Sequence, residues 1–136
     1  MANYEGAARS NYVRIKDIAA LKAALEPFAI EVSERGTNGT VCFLSEDGDG
    51  GWPSTTLTDN DVEIEFDPVA HICPHMVDGE VLVMLESGHE RLRYIVGYAD
   101  AYHSDGRRVG VNIENIYDKA SREFDVPLDR ISQASY

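Results

Sequence analysis

The sequence predicts a single α+β domain, an antiparallel sheet with helices packed on one face. Three observations predict it. Several runs alternate apolar and polar residues with the period of a strand. Between them, good capping residues open segments whose apolar positions recur at helical spacing. Gly- and Asn-rich turns join neighbouring runs closely enough for hairpins. A chain of 136 residues holds one core, and 43% apolar with 26% charged residues is an ordinary globular composition.

Residues 1–10 are small and polar and read as a flexible N-terminal arm, so the folded domain is expected over 11–126. Residues 11–16 alternate, with Val13 and Ile15 opposite Tyr12, Arg14 and Lys16, as a first strand. Asp17 is a suitable N-cap for a helix carrying Ile18, Leu21, Leu25 and Phe28, and Pro27 ends it. Residues 30–34 and 40–45 form a hairpin about the turn Gly36-Thr37-Asn38-Gly39. This strand–helix–hairpin opening suits a ferredoxin-like β-α-β-β unit.

The acidic loop 45–60 is the most flexible stretch expected in the middle of the chain. Residues 61–66 return to alternation, with Val62, Ile64 and Phe66 inward. Asp67-Pro68 opens a short helix bearing Val69, Ile72 and Met76, made irregular by Pro74 and closed by Gly79. Residues 80–86 read as an inner strand, 87–90 as a turn, and 91–103 as the longest strand. Ser104-Asp105-Gly106 turns the chain into residues 107–111. A last amphipathic helix, about 113–124, places Ile113, Ile116, Tyr117, Ala120 and Phe124 on one side, and the tail 127–136 is irregular.

Charge is unevenly distributed. The chain has 24 acids and 12 bases, a formal net charge of −12. All 12 Lys and Arg residues lie outside 36–90, whereas that stretch holds 12 acids, so it carries the whole excess. A sequence pI near 4.6 disfavours direct binding to nucleic acid or an anionic membrane and favours a partner with a basic face. In a strand, Asp61, Glu63 and Glu65 line one face at roughly 7 Å intervals, a spacing of the same order as phosphates along a nucleic-acid strand. The plainer reading is a solvated strand face whose like charges discourage edge pairing. Glu46, Asp47 and Asp49 add charge in the loop. Trp52, in Gly50-Gly51-Trp52-Pro53-Ser54, either pins that loop to the body or stands out as an aromatic anchor ringed by carboxylates.

Other chemistry is thinly represented. His71-x-Cys73-x-His75 with Cys42 is the nearest approach to a zinc set, but surface histidines and core thiols explain these residues more simply. Asp47-x-Asp49-x-Gly51 lacks the glycine and glutamate positions of a calcium loop. No catalytic residue, cofactor or metal is therefore assigned. His89 and His103 lie near hairpin ends, and a His–Glu pair with Glu90 is a coincidence of proximity more readily than an acid/base device. Tyr94, Tyr98 and Tyr102 share one strand face as core or groove lining. Arg91, Arg93, Arg107 and Arg108 cluster on the last hairpin, where they either neutralise the acidic segment or complement it on a second subunit. Two cysteines make no disulfide framework, residues 2–9 lack the features of a signal peptide, and the longest apolar run is far short of a membrane span. A cytoplasmic protein is expected.

Residues 10–17 (Ser-Asn-Tyr-Val-Arg-Ile-Lys-Asp), Gly51-Trp52-Pro53-Ser54, Asp78-Gly79-Glu80-Val81 and Glu90-Arg91-Leu92-Arg93-Tyr94 together resemble small uncharacterised acidic proteins of bacterial plasmids and phages. In size and acidity the chain is similar to the anti-restriction and anti-CRISPR proteins of such elements, several of which imitate nucleic acid. The resemblance implies a stoichiometric inhibitor of a host defence protein, and the charge pattern of the chain places contact with a basic nucleic-acid site at Glu46, Asp47, Asp49, Trp52, Asp61, Glu63 and Glu65. The alternatives are a non-catalytic accessory or structural homo-oligomer, including a homodimer, and a small metal-dependent enzyme.

Overall fold

The sheet is organised about its N-terminal strand. The structure, a computed structural model, describes residues 4–36, 38–57, 60–90 and 94–134. Within the stretch expected to be a flexible arm, Tyr4–Ser10 is strand β1. It pairs antiparallel with Val81–Glu90 (β7) along its whole length and, at Arg9, with Leu44 of Thr40–Ser45 (β4). Its sequence, Tyr-Glu-Gly-Ala-Ala-Arg-Ser, has no apolar alternation because it is held by backbone hydrogen bonds and close packing of small residues. The chain kinks at Asn11-Tyr12 and continues as β2 (Val13–Arg14), which pairs with Val41 and Thr40.

The kink shifts the alternation by one residue, so Ser10 and Val13 are both buried. Side chains replace the interrupted ladder. Ser10 Oγ accepts the Phe43 N–H at 2.7 Å. Asn11 behaves like an extra peptide unit, its Nδ2 donating to Val81 O at 3.0 Å and its Oδ1 accepting Val83 N–H at 2.8 Å.

Asp17 caps α1 (Ile18–Leu25), its carboxylate accepting the Ala20 N–H at 3.2 Å. Ile30–Ser33 (β3) then pairs with β4 on the edge opposite β1 and β2. After β4, Thr55–Leu57 (β5) and Glu63–Glu65 (β6) form a separate two-stranded ribbon. Asp67 caps the short α2 (Pro68–His71), and a 3-10 turn, Cys73–His75, absorbs Pro74. The path β2-α1-β3-β4-α2-β7, with spatial order β3-β4-β1/β2-β7, is the ferredoxin-like connectivity. Tyr94–His103 (β8) and Arg108–Asn112 (β9) extend the sheet beyond it as a meander.

Residues 87–90, expected to turn, instead continue β7. Gly88 sits between Gly6 on one neighbour and Val96 on the other. The Tyr4 ring lies over both glycines: a Cβ at Gly6 would come 2.5 Å from Tyr4 Cε1, and one at Gly88 would strike the Tyr4 hydroxyl. The aromatic ring covers backbone that glycine leaves bare, so here glycine marks close packing within a strand.

One core fills one face of the sheet. Leu21 and Leu25 of α1, with Ile72, Cys73 and Met76 around the 3-10 turn, pack on Val13, Val41, Phe43, Leu82, Met84 and Tyr102. Phe28, Phe66 and His71 close one end, with ring centroids 4.9 to 5.9 Å apart. The third helix, α3 (Asn115–Phe124), has no buried residue and lies outside this core. The tail holds a further 3-10 turn, Leu128–Arg130. Among the described residues, no helix is long and apolar enough to cross a membrane.

Phe43 is fully buried at the junction of β4 with Ser10. Phe43→Ala is expected to lower unfolding stability by about 3–5 kcal/mol, measured as a reduced urea midpoint at unchanged m-value.

Candidate functional site

The acidic middle of the chain divides into carboxylates used inside the fold and carboxylates left free. In the loop, Asp49 Oδ1 accepts the Gly51 N–H at 2.8 Å, Asp47 Oδ1 lies 3.4 Å from the Asp49 nitrogen, and Ser45 Oγ donates to Gly51 O. These side-chain-to-backbone bonds give the loop a definite shape. Its backbone is also tied down, since the Gly6 N–H donates to Asp49 O at 2.7 Å. Gly50, at φ +85°, lies directly on the Gly6 carbonyl, where a side chain would collide. Asp67 is a helix cap, Glu80 Oε1 accepts the Arg14 N–H at 2.7 Å, and Asp78 pairs with Lys16 at 3.8 Å.

Glu86 is the most heavily used carboxylate. On β7 it shares the inward face with Leu82 and Met84. It accepts hydrogen bonds from the Tyr4 hydroxyl, the Tyr98 hydroxyl and the Trp52 backbone N–H, each at 2.7 Å. A Cβ on Gly51 would come 2.9 Å from its Oε2, which accounts for the second glycine of the loop. Trp52 is half-buried against the core and donates its indole N–H to Leu85 O at 3.1 Å. Trp52 therefore pins the loop to the sheet, the first of its two expected roles. Burial, reinforced by the hydrogen bond to Glu86, pushes the Tyr4 phenol up to about 12 and raises Tyr98 further in the same direction. Phenols held protonated beside a carboxylate that already accepts three bonds form a structural clasp. Sequence reasoning missed it, although a glutamate at inward parity facing a tyrosine series was its available signal.

The free carboxylates are Glu46, Asp61, Glu63, Glu65 and, at the end of β7, Glu90. Their side chains make no hydrogen bond or ion pair among the described residues. Glu63 and Glu65 are exposed on the outer face of β6, opposite Leu57 and Thr55 of β5, while Ile64 and Phe66 turn inward. Asp61 is exposed, but it precedes the strand with φ 57°, so the expected three-carboxylate row reduces to two on a regular strand. Asp59 lies outside the described residues, as do Arg91 and Arg93.

The remaining candidates separate. His71 stacks on Phe66, and its Nδ1 accepts the Asp67 N–H at 3.0 Å. Cys73 is buried, and burial pushes its thiol up. Among the described residues, no three His, Cys, Asp or Glu side chains group as metal ligands. His89 faces Glu5 at 3.9 Å, on the opposite side of β7 from Glu90, its expected partner. Arg107 pairs with Asp105 and Arg108 with Asp100, both at 2.9 Å, so these two arginines are paired within their own hairpin.

The fold and site define a mixed α and β protein with a mostly antiparallel open sheet, a closed carboxylate clasp and a small set of free surface carboxylates. No family model matches the chain, and no curated protein or solved structure is significantly similar to it.

The clasp gives a pH dependence of definite sign. A phenol whose folded value is raised from 10.0 to about 12 contributes stability fully present below 10 and lost as pH rises through 12. Stability is expected to fall across that window, and Glu86→Gln to reduce the fall, as read by urea unfolding at stepped pH alongside phenolate absorbance.

Proposed function

We propose that this chain acts by binding, as a stoichiometric inhibitor that presents carboxylates to the basic nucleic-acid site of another protein. The observation that carries the reading is the β5–β6 ribbon. It stands apart from the main sheet and holds Glu63 and Glu65 exposed, with no cation paired to either among the described residues. Two carboxylates fixed on one strand face, with Asp61 just before them and Glu46 on the loop, offer a directed negative field without a conformational search. Asp47, Asp49 and Trp52 shape the platform and contribute less contact than the sequence suggests.

A host defence protein in the bacterial cytoplasm is the partner class, on the strength of the resemblance in size and acidity; two free buried cysteines suit that compartment. Nucleic-acid-like charge spacing makes duplex DNA the natural competitor for the same basic site.

The test is capture from bacterial lysate on immobilised protein at stepped salt, with duplex DNA as competitor. A basic nucleic-acid-binding protein is expected to elute with rising salt and to be displaced by DNA. Glu63→Gln with Glu65→Gln is expected to weaken its binding about tenfold, the effect of two exposed charge contacts. Equal binding by the variant at every salt concentration overturns the placement of the site on the ribbon.

A further inference from the structure

Two apolar surfaces of this chain lie uncovered, and they are complementary. The first is the sheet face opposite the core. Strand register places Leu85 beside Ala99 and Ala99 beside Val111, with Ala101 beside Val109 on the same face. Val109 and Val111 are 67% and 61% exposed. Ala7, Gly97 and Ala99 keep the floor low, and the face holds an open groove of about 720 Å³.

The second surface is α3. Ile116 and Phe124 are 59% and 74% exposed on a helix with no buried residue. The helix leaves the sheet at the rim of the groove, where the Ile113 N–H donates to Gly97 O at 2.8 Å and the Asn112 N–H donates to Asn115 Oδ1 at 2.7 Å. Those bonds fix its departure. Ile113 touches the sheet at Gly97, and beyond it Tyr117 and Ala120 are half-buried, with the Ala134 N–H donating to the Tyr117 hydroxyl, while Ile116 and Phe124 stay in solvent.

We propose that a second copy of the chain covers both surfaces, with α3 of each protomer seated in the sheet groove of the other about a twofold axis. Dimensions agree. A ten-residue helix is about 15 Å long and about 10 Å wide, and four strands, β1 to β9, span about 15 Å. Leu85, Val109 and Val111 on the sheet and Ile116 and Phe124 on the helix are each between 47% and 74% exposed, so both surfaces leave large apolar side chains in water, a mark of interaction sites. Charge is compatible: Arg9 on the groove wall has no carboxylate partner among the described residues, and α3 carries Asp118 and Glu123. This inference is independent of the ribbon reading, because it uses other residues and has the opposite salt dependence. Two copies of net charge −12 held by apolar contact associate no less tightly as salt rises.

Sedimentation equilibrium over a range of protein concentration and salt tests it. A dimer is expected whose association holds or strengthens with salt. Phe124→Asp on the helix and Val111→Asp on the sheet, each made alone, are expected to raise its dissociation constant at least about 100-fold. Both side chains are exposed in the single chain, so circular dichroism and the thermal transition of the monomer should survive. Ala99→Cys with Ala120→Cys, oxidised, is expected to give a covalent dimer on a non-reducing gel, and this variant decides the matter if an aspartate variant fails to fold. A monomer at every concentration, a dimer indifferent to both aspartates, or a monomer that instead takes up neutral lipid vesicles through α3 overturns the proposal.

Discussion

The fold depends on one kinked strand in the middle of its sheet. β1 and β2 are a single N-terminal strand that pairs with β4 on one edge and β7 on the other, and among the described residues no other segment joins the two halves of the sheet. The kink at Asn11-Tyr12 interrupts the backbone ladder, on its buried side at Phe43 and on its exposed side at Val81 and Val83. Ser10 and Asn11 bridge the gap by supplying side-chain partners to Phe43, Val81 and Val83. Of these bonds only Ser10 to Phe43 is buried, and leaving the Phe43 N–H unpartnered there would cost about 1–3 kcal/mol. The same kink lets Ser10 and Val13 both point at the core.

Around that strand, charge is used in two ways. Glu86, Glu80, Asp67, Asp49 and Asp47 are hydrogen-bonded within the molecule, and each holds a strand, cap or loop in position. Glu63 and Glu65 bond to nothing among the described residues and stand on a ribbon outside the main sheet. Acidity along the chain therefore serves the fold as well as the surface: Asp47 and Asp49 are exposed and still charged, and they also shape their loop.

Elements whose evidence is local were legible in advance. Asp17 and Asp67 are caps because a short carboxylate beside free N–H groups acts over three residues. Inward Ile64 and Phe66, outward Glu63 and Glu65, and the hairpin at Ser104-Asp105-Gly106 follow from period-two geometry and turn chemistry. Residues 4–10 and 87–90 were not legible. Their strand state comes from Tyr4 lying across Gly6 and Gly88, a contact between segments 82 residues apart. The clasp at Glu86 was hidden for the same reason, since its three donors come from Tyr4, Trp52 and Tyr98.

The sequence by itself determined the class of fold, the ferredoxin-like opening, the helix caps and the concentration of charge between residues 36 and 90, because each arises from neighbours in the chain. Tertiary structure alone decided which carboxylates are consumed and which are free, that Trp52 is a pin, and that α3, amphipathic as expected, has no core of its own chain to cover. Those outcomes depend on which distant segments meet, and a side chain's solvation and partners are set by that meeting.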